Sequence, residues 1–335
     1  MIEGNILAVV FAFVAMIVSF FFSKKWIQIA QKLNLLGEDK QKLNKEKIPE
    51  AGGVAVVISA VSALLCYGLA TQYFSSMIDF TFIYAISLLL LLACCFGFID
   101  DLVSITRWKK PLLSAIIAVP IMIVCFSQTL LITHIGNFNF GILFPLLIVP
   151  AIIIGASNGF NMLAGYNGLE ALQGIIIISA LGFFSLVLNN FNMFAICLIM
   201  VGALTGFYLL NSYPSKLFGG DSLTYPIGAF IGAIAIFAHL ELFACVLFIP
   251  YFLDALLYIR ARFIDKVRDV QAFAKVNEDG SLSLPYNKIY DTTHLAILCL
   301  SKIKKKVYEV DVVRFIACIE FALIGVCFFW WWLVI

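Results

Sequence analysis

Charged side chains are scarce in this sequence. Asp, Glu, Lys and Arg make up 13% of its 335 residues, about half the usual share of a soluble domain, whereas hydrophobic residues make up 63%. The formal net charge is only +2, so the composition offers no basic surface for a nucleic-acid partner. This composition predicts an all-α, polytopic membrane protein whose partners include membrane lipids.

Cysteine and histidine patterns typical of metal or disulfide sites are also missing. The nine cysteines form no CxxC pair and lie almost all inside apolar runs, so we interpret them as packing residues. Of the three histidines, His294 stands alone and the other two fall outside the polar clusters described below. The run 6–22 lacks the flanks of a cleavable signal peptide and is predicted to be the first span. With no internal repeat, residues 1–335 are expected to form a single integral membrane domain.

About ten apolar runs have the length of a bilayer span, about 17 to 25 residues. They lie near residues 5–23, 52–71, 80–99, 111–128, 141–156, 171–188, 193–211, 225–239, 241–260 and 312–334. All 22 Lys and Arg residues lie in the odd-numbered connections or at their edges. The positive-inside rule therefore predicts that the odd-numbered connections are cytoplasmic and that both termini lie outside.

The largest connection, about residues 261–311, is predicted to be a small cytoplasmic insertion between spans nine and ten. Residues 273–284 read as a hairpin that turns at Asp279-Gly280, a favoured two-residue turn. Residues 294–308 are expected to form a basic amphipathic helix on the membrane surface.

The stretch 157–171, SNGFNMLAGYNGLEA, is too rich in amides and glycines for a membrane span. Backbone of this kind is tolerated at membrane depth only where it packs in protein or lines a wet cavity. An ordinary connecting loop is the alternative interpretation. Three further polar clusters on the same predicted face favour a functional loop: KIPEAGG at 47–53, FIDD at 98–101, and NSYPSKLFGGD at 211–221.

Hard oxygen donors dominate these clusters. Asp100 and Asp101 are adjacent at a helix end, and Asp221 and Asn161 come from other segments. Mg²⁺ takes one or two carboxylates together with water and substrate phosphates, and Lys110 and Arg107 could hold phosphate oxygens. The acidic residues of these clusters also have plainer interpretations. Asp100-Asp101 could be a solvated helix end, Glu50 a surface charge and Asp221 a turn residue.

Taken together, the clusters resemble the polyprenyl-phosphate N-acetylhexosamine-1-phosphate transferases, integral membrane enzymes with ten or eleven spans. The loop NMLAGYNGLE at 161–170 looks like the NILAGxNGLE of the eukaryotic and archaeal branch, where bacterial members usually carry an aspartate. Other matches, in the same order, are GED at 37–39, IPE at 48–50, FIDD at 98–101, RW at 107–108, Lys110 and YPSKLFGGD at 213–221.

The resemblance implies transfer of N-acetylglucosamine 1-phosphate from UDP-N-acetylglucosamine to dolichyl or polyprenyl phosphate, with release of UMP. Asn161 and Asp221 would bind Mg²⁺, with Mn²⁺ as an alternative ion. Asp100, Asp101 and Lys110 would be the catalytic residues beside the phosphates, with the order of importance of the two aspartates left open. The candidate substrate-binding residues are Asp39, Glu50, Arg107, Gly165, Asn167, Glu170 and Arg268.

One departure from the family puts the donor sugar in doubt. Eukaryotic members carry an Arg/His-rich patch before the hairpin, whereas residues 266–275 read KVRDVQAFAK, and Arg268 is the nearest candidate. Another UDP-N-acetylhexosamine donor, or a role in cell-wall polymer synthesis, stays open, as does a homodimer. An archaeal cell membrane is favoured over an ER membrane. A membrane transporter is the alternative from another class, but its polar groups should be spread through the depth of several spans.

Overall fold

The computed structural model describes residues 2–75, 80–106, 109–133, 136–267, 270 and 272–334. Within these ranges, eight helical segments are long and apolar enough to cross a membrane. The helices that form them are α1 Ile2–Lys32, α2 Gly53–Ser75, α3 Phe80–Val103, α6 Val149–Met162, α7 Leu169–Val187, α8 Phe191–Asn211, α9 Asp221–Ala238 and α13 Glu309–Val334. A π-helical turn, Phe144–Ile148, extends α6 at its N-terminal end. The protein is therefore a polytopic helical membrane protein.

Two of the ten predicted spans differ from a single long α-helix: one is too short and the other is bent at a break. The run at 111–128 forms α4 Lys110–Leu113, a 3₁₀ segment Ser114–Ala118 and α5 Val119–Val124, and it is shorter than a full span. The run at 241–260 forms α10 Glu241–Leu247 and α11 Ile249–Ile259, and α11 continues into a π-helical turn, Arg260–Ile264. The two parts meet at an angle of 58°. A proline lies in the first turn of each of α4, α5 and α11, where its missing backbone N–H is tolerated. The count of ten spans stays a prediction.

Short antiparallel hairpins interrupt the helical pattern. In the described residues, β1 Leu36–Glu38 pairs with β2 Lys47–Pro49, β3 Leu130–Thr133 pairs with β4 Gly136–Asn139, and β5 Lys275–Val276 pairs with β6 Leu282–Ser283. The β5–β6 strands flank the Asp279-Gly280 turn, where Gly280 has a φ of +76°. The first two hairpins are additions to the all-α expectation.

The insertion helix is shorter than the sequence pattern indicates. The helix α12 spans Thr292–Ser301 and not 294–308. Asp291 caps its N-terminus by accepting a hydrogen bond from the Thr293 amide, and His294 is fully buried. Because its apolar residues pack against α11 and α13, the helix covers protein surface. Lys302 to Lys306 lie beyond its C-terminal end.

The helix α9 lies at the centre of the bundle, and every residue from 222 to 238 is buried. It packs against α3 and α6. A second close helix pair is formed by α8 and α1. They meet at Gly202 and Gly206 of α8, where an added Cβ would lie 2.1 Å from a carbonyl oxygen of α1. Two small residues four apart let helix backbones approach this closely in membranes. The buried position of α9 places its N-terminus, Asp221, among the ends of α3, α4 and α6.

Candidate active site

A lysine lies between two aspartates where the ends of three helices meet. Lys110 Nζ is 2.7 Å from Asp100 Oδ2 and 3.1 Å from Asp221 Oδ2. Asp100 lies in the last turn of α3, Lys110 begins α4 and Asp221 begins α9. The Asp100 carboxylate is almost fully buried, so the ammonium compensates a charge that would be costly alone. The structure thus brings together three of the predicted residues.

Asp101 faces a different neighbour from Asp100. Its Oδ1 accepts a hydrogen bond from the Asp221 backbone N–H at 2.7 Å, and its Oδ2 accepts one from the Ser222 N–H at 3.2 Å. These N–H groups belong to the first turn of α9. The N–H groups of a first turn have no acceptor inside their own helix. Asp101 therefore caps α9 from outside the helix and fixes the position of Asp221.

Glycines make this close approach feasible. A Cβ added to Gly97 would lie 2.2 Å from the Asp221 carbonyl oxygen, and one added to Gly53 would lie 2.2 Å from the Ser222 carbonyl carbon. Only bare backbone on α3 and α2 leaves room for the first turn of α9. Gly220, with a φ of +69°, turns the chain into that helix in a conformation that favours glycine.

Asn161 lies near Asp221 and contacts α9 through the hydroxyl of Thr224. Its Oδ1 accepts a hydrogen bond from Thr224 Oγ1 at 2.7 Å, and Thr224 follows Asp221 by one helical turn. The donors at this place are carboxylate, amide and hydroxyl oxygens, which suit a hard cation such as Mg²⁺. No three His, Cys, Asp or Glu side chains within the described ranges form a metal site by themselves. The donor set therefore fits an ion that also binds substrate phosphate and water.

The loop between α6 and α7 contains two left-handed glycines and is held in place at the first of them. Gly165 (φ +99°) and Gly168 (φ +80°) adopt left-handed conformations on either side of Tyr166 and Asn167. Glu170 Oε1 accepts a hydrogen bond from the Gly165 N–H at 2.6 Å. The Phe273 ring of the insertion also packs against Gly165, where an added Cβ would lie 2.8 Å from the ring. Glu170 therefore shapes the loop from within.

A second polar cluster surrounds Asn167, which is 4% exposed. Its Nδ2 donates to Asp39 Oδ2 at 3.2 Å and to Glu309 Oε1 at 2.7 Å, and its Oδ1 accepts from the Ser215 N–H at 2.7 Å. Lys42 Nζ, 2.8 Å from Asp39 Oδ2, balances the acidic side of the cluster. The side chain of Asn167 thus contacts protein on every polar atom.

Glu50 lies between the two clusters. Burial raises the pKa of its carboxyl above the ordinary value for glutamate, even though Lys40 opposes the shift. Its carboxylate packs beside Gly37, where an added Cβ would lie 2.9 Å from Oε2. The neighbouring Pro49 carbonyl accepts a hydrogen bond from the Phe218 N–H at 2.8 Å. The segment 212–221 therefore runs from the Asn167 cluster, past Glu50, to Asp221.

Two of the predicted site residues, Arg107 and Arg268, lie outside the described residues. The structure also adds three residues that sequence reasoning missed: Thr224, Ser215 and Glu309. The spacing of Thr224, one helical turn after Asp221, is a signal that could have identified it. Ser215 contributes only a backbone N–H, and Glu309 is 142 residues from Asn167, so neither carried a local pattern.

Comparisons with known proteins show to which family the chain belongs. Residues 82–239 match the model of glycosyl transferase family 4. The chain is 30% identical over 329 residues to a protein of Sulfolobus acidocaldarius provisionally named UDP-N-acetylglucosamine–dolichyl-phosphate N-acetylglucosaminephosphotransferase, and the match covers 97% of this chain and 96% of that protein.

A protein of Saccharolobus solfataricus with the same provisional name is 32% identical over 288 residues, covering 84% of this chain and 86% of the relative. A phospho-N-acetylmuramoyl-pentapeptide-transferase of Campylobacter jejuni is 31% identical over 267 residues, or 69% of this chain and 73% of the relative. Since one of these similarities spans almost the whole of both chains, the chain belongs to glycosyl transferase family 4.

Proposed function

We propose that this protein transfers N-acetylglucosamine 1-phosphate from UDP-N-acetylglucosamine to dolichyl or polyprenyl phosphate and releases UMP. This reaction would be the first step of lipid-linked oligosaccharide assembly for N-glycosylation. The observation that carries the proposal is the Lys110 ammonium held between Asp100 and Asp221, next to Asn161. The names of the Sulfolobus and Saccharolobus relatives support the choice of donor and acceptor.

The reaction needs charge neutralisation more than proton transfer. An oxygen of the lipid phosphate forms a bond to the sugar-bearing phosphorus, and the bond from that phosphorus to the bridging oxygen breaks, so that UMP leaves with this oxygen. A phosphate monoester is largely anionic near pH 7, so no strong base is required. Bound Mg²⁺, or Mn²⁺, would polarise the phosphoryl oxygens and offset the charge on the leaving UMP.

The contacts support distinct roles for the predicted residues. Asp221 and Asn161 would hold the metal ion, and Lys110 would neutralise a phosphate of donor or acceptor. Asp100 orients the Lys110 ammonium, whereas Asp101 orients Asp221 through the backbone of α9. On this assignment both aspartates matter, but neither needs to act as a base.

The loop 163–168 and Glu50 would receive the uridine. Gly165 contributes backbone there, Glu170 holds that backbone, and Asn167 with Asp39 fixes the far side of the loop. Arg107 and Arg268 remain proposed contacts to the donor phosphates. Their guanidinium groups match phosphate oxygens in pairs.

We also propose that the site faces the cytoplasm of an archaeal cell, with both termini outside. All Lys and Arg residues fall in connections assigned to the cytoplasmic side, and the Sulfolobus and Saccharolobus relatives come from archaea. A homodimer remains a prediction.

Purified protein incubated with a panel of UDP-sugars and lipid phosphates tests the proposal. We expect UMP release with UDP-N-acetylglucosamine, loss of release with a chelator, and recovery on adding Mg²⁺. Asp221→Ala should abolish turnover, whereas Glu278→Ala, which removes an exposed carboxylate in the β5–β6 turn, should not. Turnover that persists in Asp221→Ala or in chelator would refute the metal assignment.

The donor panel also decides between two alternatives. Preference for another UDP-N-acetylhexosamine would support a role in cell-wall polymer synthesis. The similarity to the Campylobacter enzyme is the reason for testing this outcome. Solute flux across vesicles without UMP formation would instead support a transporter.

A further inference from the structure

Glu309 is the first residue of α13 and reaches the loop between α6 and α7. One carboxylate oxygen, Oε1, accepts two hydrogen bonds from Asn167: from the backbone N–H at 2.6 Å and from the side-chain Nδ2 at 2.7 Å. Glu309 is 4% exposed, so this contact is shielded from water. Burial increases the cost of losing these hydrogen bonds, because a donor left without a partner there cannot turn to water.

The loop depends on such a contact because its own backbone is permissive. The left-handed glycines Gly165 and Gly168 flank Tyr166 and Asn167, and glycine has the least intrinsic preference for any one conformation. Glu170 fixes only the Gly165 end of the loop. The Asn167 end is fixed by residues from outside the loop, and among the described residues Glu309 binds both its backbone and its side chain.

The other partners of Asn167 extend the same connection. Ser215 donates its N–H to Asn167 Oδ1, and it lies in the segment that continues to Asp221. Asp39 accepts from Asn167 Nδ2 and pairs with Lys42, whose ammonium lies 5.5 Å from the centre of the Tyr213 ring. Through Asn167, Glu309 therefore connects the last helix to the proposed uridine loop and to the segment that begins α9.

We propose that Glu309 is a positioning residue for the donor nucleotide: it holds Asn167, and so the 163–168 loop, in the conformation that receives the uridine. This inference rests on the proposed function, because it assumes that the loop binds the donor. In this role Glu309 acts through Asn167, to which both of its hydrogen bonds run. Its loss should weaken donor binding while leaving the phosphate chemistry at Lys110 and Asp221 intact.

Three substitutions separate this role from a general effect on folding. Glu309→Gln keeps a side-chain oxygen at the same reach and should preserve both hydrogen bonds. Glu309→Ala removes the acceptor, and Glu309→Asp shortens it, which provides a second variant if alanine does not fold. Asp311→Asn is the matched control in the same first turn: it removes the charge that pairs with the half-exposed Lys304, and it keeps an oxygen that can accept the Tyr308 N–H, which Asp311 Oδ2 now accepts at 3.0 Å.

Two measurements follow for each variant. Hydrogen exchange, read by mass spectrometry over the loop peptide, reports the protection of the Asn167 amide, and we expect it to exchange roughly tenfold faster in the alanine and aspartate variants. With the panel substrates, KM for the UDP-sugar should rise about tenfold with kcat nearly unchanged, while Glu309→Gln and Asp311→Asn stay close to wild type.

Unchanged exchange of the Asn167 amide in the alanine and aspartate variants would overturn the inference. So would a glutamine variant as defective as alanine, or a fall in kcat with no rise in KM. If the wild-type protein releases no UMP from any donor, the proposed function fails separately. The exchange measurement then decides by itself whether Glu309 holds the loop.

Discussion

Replacing Asp101 by alanine removes a capping interaction that the structure defines atom by atom. Both carboxylate oxygens accept backbone N–H groups of the first turn of α9, at 2.7 and 3.2 Å. A hydrogen bond of this kind contributes about 1 kcal/mol net, and loss of an N-cap costs about 0.5–2 kcal/mol. We therefore expect Asp101→Ala to lower the free energy of unfolding by about 2 kcal/mol.

Thermal unfolding in detergent measures this loss. For about 2 kcal/mol, the midpoint should fall by no more than about 4–8 °C, since larger chains shift less for the same free energy. Asp101→Asn keeps one acceptor oxygen and should lose about half as much. Turnover should fall in both variants, because the cap also positions Asp221, which lies 3.1 Å from Lys110.

The comparison with Asp100 sharpens the test. Asp100→Asn can still accept the Ile105 N–H, which Asp100 Oδ1 now accepts at 2.8 Å, but it no longer offers a charge to Lys110. It should therefore lose turnover with a smaller loss of stability than Asp101→Ala. If Asp101→Ala unfolds at the wild-type temperature, or if the order of the two variants is reversed, the capping role of Asp101 is refuted.

Two further predictions concern packing and pH. Gly97→Ala should reduce turnover more than tenfold, since its Cβ would meet the Asp221 carbonyl at 2.2 Å and the backbone there must shift, whereas Gly155→Ala, with nothing within 4 Å, should remain active. Burial lowers the pKa of His294 to about 4. The unfolded chain therefore binds more protons below about pH 6.5, and stability should fall from there toward pH 4. In thermal unfolding across this range, His294→Leu should lose less than wild type, and equal losses would contradict the burial argument.

Hydrophobic run length predicted the spanning helices well because a bilayer imposes a length on any helix that crosses it. The prediction was least successful where length was not the deciding factor. The run at 111–128 is as apolar as its neighbours, yet its helical segment ends at Val124, and within it a 3₁₀ stretch, Ser114–Ala118, precedes the Pro120 turn of α5. The strands β1 and β2 have only three residues each, too few for an alternating pattern to be visible.

The candidate site was predictable as a set of residues but not as a set of contacts. Motif order and the placement of charges indicated that Asp100, Lys110, Asn161 and Asp221 share one face, and the structure brings them together. The substrate-binding role of Asn167 stays a prediction, and the contacts of its side chain with Asp39, Ser215 and Glu309 had no signal in the sequence. Contacts of this range depend on tertiary packing, which no local pattern encodes.

The different roles of the two adjacent aspartates follow from helix geometry. Neighbouring residues on an α-helix point about 100° apart, so Asp100 and Asp101 approach the start of α9 differently: Asp101 binds its backbone N–H groups, and Asp100 pairs with Lys110 beside the Asp221 carboxylate. Gly97 precedes Asp101 by four residues and therefore lies on the same side of α3. Because that side carries no Cβ at Gly97, it is where α9 can approach, and Asp101 meets the first turn of α9 while Asp100 turns toward Lys110. In this chain, Gly97 thus explains why Asp101 serves the neighbouring helix and Asp100 serves the charge at the site.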